Sequence, residues 1–298
     1  MSKQIRKIIV FLVMALLFLG APLPAGAQFK DALDREIRLN KPPERIVPLA
    51  PSLTEILYFL GLGDKVVGVT QFSSYPPDAA RKPRVGSYID LNVEKIITLS
   101  PDLVIGTVDG NERQEVELLE QAGIAVFVVN PRNVQEVIET IQKVGSVCGA
   151  PKRAKAQSEQ LASRVDHIVY KTRSLRKPLV FIQIQLQPIM TVNANTFHHD
   201  LIRLAGGRNM TENEPITYPR ISLEEVIRRK PEVILISSME RKGRFEKARL
   251  EWFKWTSIPA VQTGRVHLID SDLIDRPSPR LIEGLEAMAT FIHPEVFK

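Results

Sequence analysis

Short apolar runs alternate along this chain with segments whose apolar residues recur every three to four positions. The runs at Arg45–Leu49, Lys65–Thr70, Leu103–Gly106, Ala125–Asn130, Leu179–Gln185, Glu232–Ser237 and Arg265–Asp270 read as strands. Between them, helical spacing marks Ser52–Gly63, Val93–Leu99, Glu112–Gly123, Val134–Gly149, Thr196–Gly207, Ala248–Pro259 and Ser278–Pro294. Ser52 followed by Glu55 looks like a capping box that starts the first helix, and Gly61 ends it. Strand–helix alternation of this kind predicts parallel α/β sheets.

One segment breaks the alternation. Ala150–Pro178 is long, polar, rich in helix formers and free of internal Pro and Gly, so it reads as a single long helix. The pattern restarts after it. A repeat supports the division: "NVEKIITLSPDLVI" at Asn92–Ile105 recurs as "SLEEVIRRKPEVIL" at Ser222–Leu235. Each copy has a small polar start, an acid two residues on, a Pro at the same offset, a second acid, and an apolar β-run. The pattern predicts two similar α/β lobes, residues 28–149 and 179–298, joined by a bridge over 150–178. Open α/β sheets bind ligands beyond the C-terminal ends of their strands, so two facing lobes leave a cleft between them.

The N-terminus changes the charge picture. Lys3, Arg6 and Lys7 precede an unbroken apolar run, Ile8–Leu19, and an Ala25-Gly26-Ala27 triplet follows. That is the layout of a signal peptide, with cleavage expected after Ala27 and the product expected in the periplasm. No Cys follows the run, so a lipid anchor is not indicated. The formal charge of +6 falls to +3 once these three basic residues are gone, leaving 37 basic against 34 acidic residues. That balance gives no case for nucleic acid. Cys148 is the only cysteine. It cannot form an intrachain disulfide and is expected to be a buried, inert thiol.

Motifs for enzymatic chemistry are missing. "GLGDKV" at Gly61 lacks the third Gly of a dinucleotide fingerprint and follows a helix rather than a strand. No Walker loop, H-E-x-x-H or G-x-S-x-G occurs, and no nucleophile–base pair is visible. His198 and His199 are adjacent, so on a helix they point about 100° apart and do not readily share a ligand sphere. No metal site and no cofactor is expected. The strand-end loops carry more information. Phe72 and Tyr75 follow the second strand, Tyr88 and Tyr218 precede the two copies of the repeat, and Asp270–Arg280 follows the last strand. Aromatic walls with a few polar groups suit a large, flat, partly apolar ligand, although each ring alone is equally well explained by packing. Glu94 and Glu224 occupy matching places in the first turns of the repeat helices. Two readings stand open for them: charges on helix dipoles, or one exposed docking acid per lobe.

The segments "RIVPLAPSLTEI", "VGVTQFSSYPPDA", "GSYIDLNVEKIITLSPDLVI", "YPRISLEEVIRRKPEVILI" and "DRPSPRLIEGLE" resemble the periplasmic substrate-binding proteins with a helical backbone. These serve ABC importers of iron–siderophores, haem and cobalamin, and the likeness is strongest to the cobalamin-binding members. The resemblance implies a class III binding-protein fold, two Rossmann-like lobes joined by one long helix. It implies a non-enzymatic carrier, a monomer when free, whose partner is an ABC permease dimer with its ATPase subunits. It implies cobalamin or a related corrinoid as ligand, with a ferric siderophore or haem as the alternative. Phe72 falls where a cobalamin-contacting Tyr stands, Tyr88 and Tyr218 where Trp residues stand, and Asp272, Leu273, Ile274, Asp275 and Arg276 on a contact segment. Tyr75 joins this ligand-binding set from its loop position. Glu94 and Glu224 fall on the two acids that meet permease arginines. The departures are Tyr for both Trp, Leu273 for another Trp, and the lost cysteine pair, with Ala205 near one of its places. They bear on the ligand: a Tyr at 88 or 218 could ligate haem iron, and Arg84, Arg220 and Arg276 could serve a ferric siderophore.

Overall fold

A computed structural model of the chain describes residues 27–237 and 244–297. The expected leader lies outside the described residues, apart from Ala27. An antiparallel hairpin, β1 (Ala27–Lys30) and β2 (Glu36–Leu39), opens the described chain. It leans on the N-terminal sheet, where the Ala32 amide donates to Val128 O at 2.9 Å.

The N-terminal sheet runs in the order β3 (Ile46–Pro48), β4 (Leu103–Thr107), β5 (Ala125–Val129), all parallel. The C-terminal sheet runs β7 (Arg208–Asn209), β6 (Leu179–Gln183), β8 (Val233–Ile236), β9 (Val266–Leu268), again all parallel. The central strands are apolar on both faces because helices cover both. In the N-terminal lobe these are α1 (Pro51–Phe59), α2 (Val93–Thr98), α3 (Arg113–Gln121) and α4 (Val134–Val147). Helix α5 (Pro151–Thr172) is the bridge. The C-terminal lobe has α6 (Phe197–Leu204), α7 (Leu223–Arg229), α8 (Arg244–Trp252), α9 (Pro259–Gln262), α10 (Ser271–Ile274) and α11 (Leu281–Ile292). This is the two-lobed α/β architecture expected from the alternation. Among the described residues, no helix is long and apolar enough to cross a membrane.

Several local expectations need correction. Helix α1 starts one residue early, at Pro51, with Ala50 as an N-cap that makes no side-chain bond. Pro suits the first helical position because its missing N–H would have no partner there. Ser52 is buried inside the helix, and Glu55 makes no capping box; its carboxylate is engaged elsewhere. The run Lys65–Thr70 forms isolated bridges rather than a strand. Val66 pairs with Ile46, and Val69 then switches partner to Arg84, so no continuous ladder builds. The bridge helix stops at Thr172, short of Pro178. The Thr172 hydroxyl donates back to Ile168 O at 3.0 Å, and the Leu175 amide closes a turn onto Thr172 O. Gly61 does end α1. It has φ +68°, and a Cβ there would meet the Arg153 guanidinium at 2.1 Å.

Three apolar clusters hold the molecule together. One lies on the outer face of the N-terminal sheet, around Leu49, Ile96 and Leu119. One lies on the outer face of the C-terminal sheet, around Phe181, Ile234 and Trp252. The largest is shared. It runs from Ile46, Leu53 and Phe127 through Leu161 and Ile168 of the bridge to Leu201, Leu235 and Leu285. Cys148 is buried in it, and burial pushes its thiol up to about 12.

The repeat has a structural role in each lobe. Asn92 and Ser222 cap α2 and α7, accepting from the Lys95 and Glu225 amides at 2.8 and 3.2 Å. Ser100 and Lys230 then take left-handed φ values of 46° and 52°, each directly before the Pro. That Pro disfavours a right-handed helical conformation for the residue ahead of it. The acid after Pro pins the start of the neighbouring strand. Asp102 accepts from the Glu44 and Arg45 amides at 2.8 and 3.0 Å, and Glu232 accepts from the Leu179 amide at 2.9 Å.

Candidate functional site

Residues beyond the C-terminal ends of the strands converge from both lobes. After β4 and β5 stand Asp109 and Arg132, joined by two hydrogen bonds of 2.6 and 3.0 Å. From the other lobe, Tyr218 lies in their field. Burial pushes its hydroxyl above the usual tyrosine range. Asp109 adds to this, Arg132 opposes it, and Asp275 and Tyr88 add smaller upward pushes. Charges on loops of both lobes thus reach Tyr218. Tyr218 is nonetheless 41 % exposed, as a residue on an open surface would be.

The local fold fixes each side chain. Asn111 holds the N-terminal wall: its amide nitrogen donates to Leu49 O at 3.0 Å and Tyr88 O at 2.7 Å, and its oxygen accepts from the Thr107 amide at 2.8 Å. The Tyr88 ring packs on Gly110, where any Cβ would lie 2.1 Å from it. In the other lobe, Asp270 caps α10 by accepting from the Asp272 amide at 2.8 Å. Asp275 is buried. One of its oxygens meets His198 Nε2 at 2.9 Å, and the other accepts from Ser237 Oγ at 3.1 Å. Arg276 reaches Asp272 at 3.1 Å and Glu55 of α1 at 3.3 Å. Arg280 also binds Glu55, and its guanidinium lies 4.0 Å over the Tyr75 ring.

The expected ligand-binding residues therefore sort into groups. Contacts or electrostatic coupling link Tyr88, Tyr218 and Asp275 in one patch, and Tyr75, Asp272 and Arg276 in another. Phe72 is 53 % exposed, on a loop whose base is tied by Ser73 to Thr54 and Thr70. Leu273 is half-buried against the shared core. Ile274 is a correction: it is fully buried in that core, so its side chain offers no surface to a ligand. The exposed Ile89, Val108 and Ile216 lie on the same loops and enlarge the apolar surface around the rings. Sequence reasoning missed Asp109, Arg132, Asn111, Ser237 and Glu55. The first two directly follow predicted strands, and the strand-end rule applied to polar residues would have found them.

Two hollows lie in different parts of the molecule. One of about 400 Å³ borders the contact segment, lined by Phe245, Leu268, Asp270 and Asp272. One of about 470 Å³ lies along α5 and α11, lined by Arg164, His167, Lys171, Glu286 and Phe297, and contains none of the strand-end residues. Among the described residues, no group of three or more His, Cys, Asp or Glu is placed to hold a metal ion. His198 pairs with Asp275, and His199 Nδ1 lies 3.5 Å from the Asn209 amide, so the two do not act together.

Glu94 and Glu224 sit exposed in the first turns of α2 and α7. Neither forms an ion pair among the described residues. Glu225 next door is instead held down to about 2 by Arg228 and Arg229. That leaves the Ser222 capping box half made, since the Glu225 carboxylate turns to the arginines. The Glu224 carboxyl is held below its usual range by its own backbone amide and the Ser222 hydroxyl.

A family model described as "Periplasmic binding protein" matches residues 46–273. The chain is 31 % identical over 249 residues to the vitamin B12-binding protein of Vibrio parahaemolyticus, covering 83 % of this chain and 88 % of that protein. It is 34 % identical over 275 residues to the uncharacterized ABC transporter substrate-binding lipoprotein YvrC of Bacillus subtilis, covering 90 % and 86 %. The crystal structure of the periplasmic vitamin B12-binding protein BtuF of Vibrio cholerae superposes with a TM-score of 0.77 at 30 % identity, covering 85 % of this chain and 98 % of that one.

Proposed function

The chain belongs to the periplasmic binding protein family, and from that premise we propose that it is the extracytoplasmic receptor of an ABC importer for cobalamin or a related corrinoid. The leader to Ala27 is removed on export, and the lobes 28–149 and 179–298 close a cleft across the bridge. Phe72, Tyr75, Tyr88 and Tyr218 wall the ligand, with Asp272 and Arg276 at its edge. Glu94 and Glu224 dock the two permease subunits, one acid per lobe; both stand exposed and without ion pairs among the described residues.

One observation carries the choice of ligand: three guanidiniums at the cleft, Arg132, Arg276 and Arg280, are each met by a carboxylate. Asp109 faces Arg132, Asp272 faces Arg276, and Glu55 faces Arg276 and Arg280. Haem propionates or an anionic siderophore would need a guanidinium without a competing carboxylate. Of the three candidates, Arg84 is turned onto the carbonyls of Thr70, Ser73 and Ala80, and Arg276 is engaged by two acids. Arg220 alone stands exposed. A corrinoid presents neutral amides around a flat ring, which suits paired charges and aromatic walls. The likeness to two vitamin B12-binding proteins supports the same reading.

Calorimetry on Gln28–Lys298 with cyanocobalamin, cobinamide, haemin and a ferric siderophore tests it. One-to-one binding of a corrinoid, and weaker or no binding of the iron ligands, is the expected result. Binding of haemin or the siderophore alone would move the receptor to iron uptake.

A further inference from the structure

Glu55 is the least expected charged residue in the molecule. It lies on α1 in the N-terminal lobe with its side chain 2 % exposed, yet all its partners belong to the C-terminal lobe. Oε1 accepts from Arg280 Nη2 at 2.7 Å and Arg276 Nη1 at 3.3 Å. Oε2 accepts from Ser278 Oγ at 2.7 Å and Arg280 Nε at 2.9 Å. A carboxylate out of water needs this many donors, and losing one partner leaves the rest of the cluster uncompensated.

The cluster continues in two directions. Through Arg276 it reaches Asp272, at the start of the contact segment. Through Arg280 it reaches the Tyr75 ring, back in the N-terminal lobe. One buried carboxylate thus orders a C-terminal wall of the cleft and an aromatic of the N-terminal wall. Glu55 and Asp272 thus meet the two guanidiniums of Arg276 and Arg280 within one connected group.

We infer that Glu55 is a positioning residue of the receptor: it sets the spacing of the two cleft walls by holding the segment from Ser271 to Arg280 and, through Arg280, Tyr75. It touches no ligand itself. The inference rests on the proposed reading of the cleft, but its main readout requires no ligand.

The test is hydrogen exchange on the ligand-free mature chain and its Glu55→Gln variant, which keeps shape and loses charge, followed by cobinamide titration. Exchange in peptides covering 271–280 and 72–80 should rise by about tenfold, while β4 and α3 keep wild-type protection. Cobinamide should bind about tenfold more weakly, through faster dissociation. Arg280→Lys, which keeps the charge but loses the planar fork over Tyr75, should reproduce a smaller part of both changes. Unchanged exchange in 271–280 would overturn the inference. So would a uniform rise along the chain in both variants, since that reports general loss of stability, or raised local exchange with unchanged cobinamide affinity. If the wild-type chain bound no corrinoid, the proposed ligand would fall, and the exchange data would still decide the role of Glu55.

Discussion

Asp102 in the N-terminal lobe and Glu232 in the C-terminal lobe occupy the same offset of the repeat and perform the same act by different means. Asp102 accepts two amides just ahead of the strand, from Glu44 and Arg45, on one oxygen. Glu232 accepts one, and its second oxygen pairs with Arg176. The acids of the first helical turns, Glu94 and Glu224, also differ. The Glu224 carboxyl is held below its usual range by its own amide and the Ser222 hydroxyl, and Glu94 stands in a turn capped by Asn92 instead of Ser. The difference separates what the repeat must keep from what can drift. An acid after Pro is needed to start the neighbouring strand, and an acid in the first helical turn is kept exposed in both lobes. The residues that finish each job are free to vary.

The largest expected effect tests the equivalence of the lobes. Replacing Glu94 and Glu224 together with Ala should abolish uptake of labelled corrinoid by vesicles carrying the importer, with ligand affinity unchanged. Each single replacement should leave partial transport if the lobes dock independently. Lost ligand affinity in the double variant would remove both residues from the docking surface. Next come the two tyrosines. Tyr88→Ala and Tyr218→Ala should each weaken corrinoid binding by about 1–3 kcal/mol, roughly tenfold to a hundredfold, as read by calorimetry. Tyr218 should cost more, because its ring stands in the field of both lobes while Tyr88 is packed on Gly110.

The strand-starting acids should matter to stability instead. Asp102→Asn and Glu232→Gln should each lower urea stability by about 1–2 kcal/mol, with ligand affinity retained. For Glu232, burial pushes the carboxyl up, but the Leu179 amide and Arg176 outweigh it and hold it below the ordinary value of 4.5. A depressed carboxyl stabilises the fold above its unfolded value and loses that effect as pH falls through the folded one. The gap between wild type and Glu232→Gln should therefore be full at neutral pH and shrink below about pH 4.5. Smallest are Ser100→Gly and Lys230→Gly. Relieving a left-handed backbone at both copies should raise urea stability slightly, by less than about 1 kcal/mol each once the entropy of Gly in the unfolded chain is counted.

The elements with strong periodicity were legible in the sequence: the central strands, the repeat helices with a small polar residue at each start, and the bridge. What escaped had a local signal overruled by distant contacts. Ser52 and Glu55 have the spacing of a capping box, but Glu55 is claimed by residues more than two hundred positions away. Lys65–Thr70 alternates like a strand, but it changes partner midway. Helix α10 is a single turn, and β7 is two polar residues set only by their neighbour β6. At the candidate site, the aromatics could be found from loop position. The pairing of Asp109 with Arg132 and the burial of Ile274 could not, since both depend on contacts between separate segments.

The shared core has a consequence for how the chain comes into being. Ile46, Leu53 and Phe127, near the beginning, belong to the same apolar cluster as Ile282, Leu285 and Ile292, near the end. Leu161 and Ile168 of the bridge carry this cluster from one lobe to the other. Contacts of such long sequence separation make folding slow. A chain whose two halves share one interior should gain and lose its final shape as a unit, with no step at which one lobe stands alone.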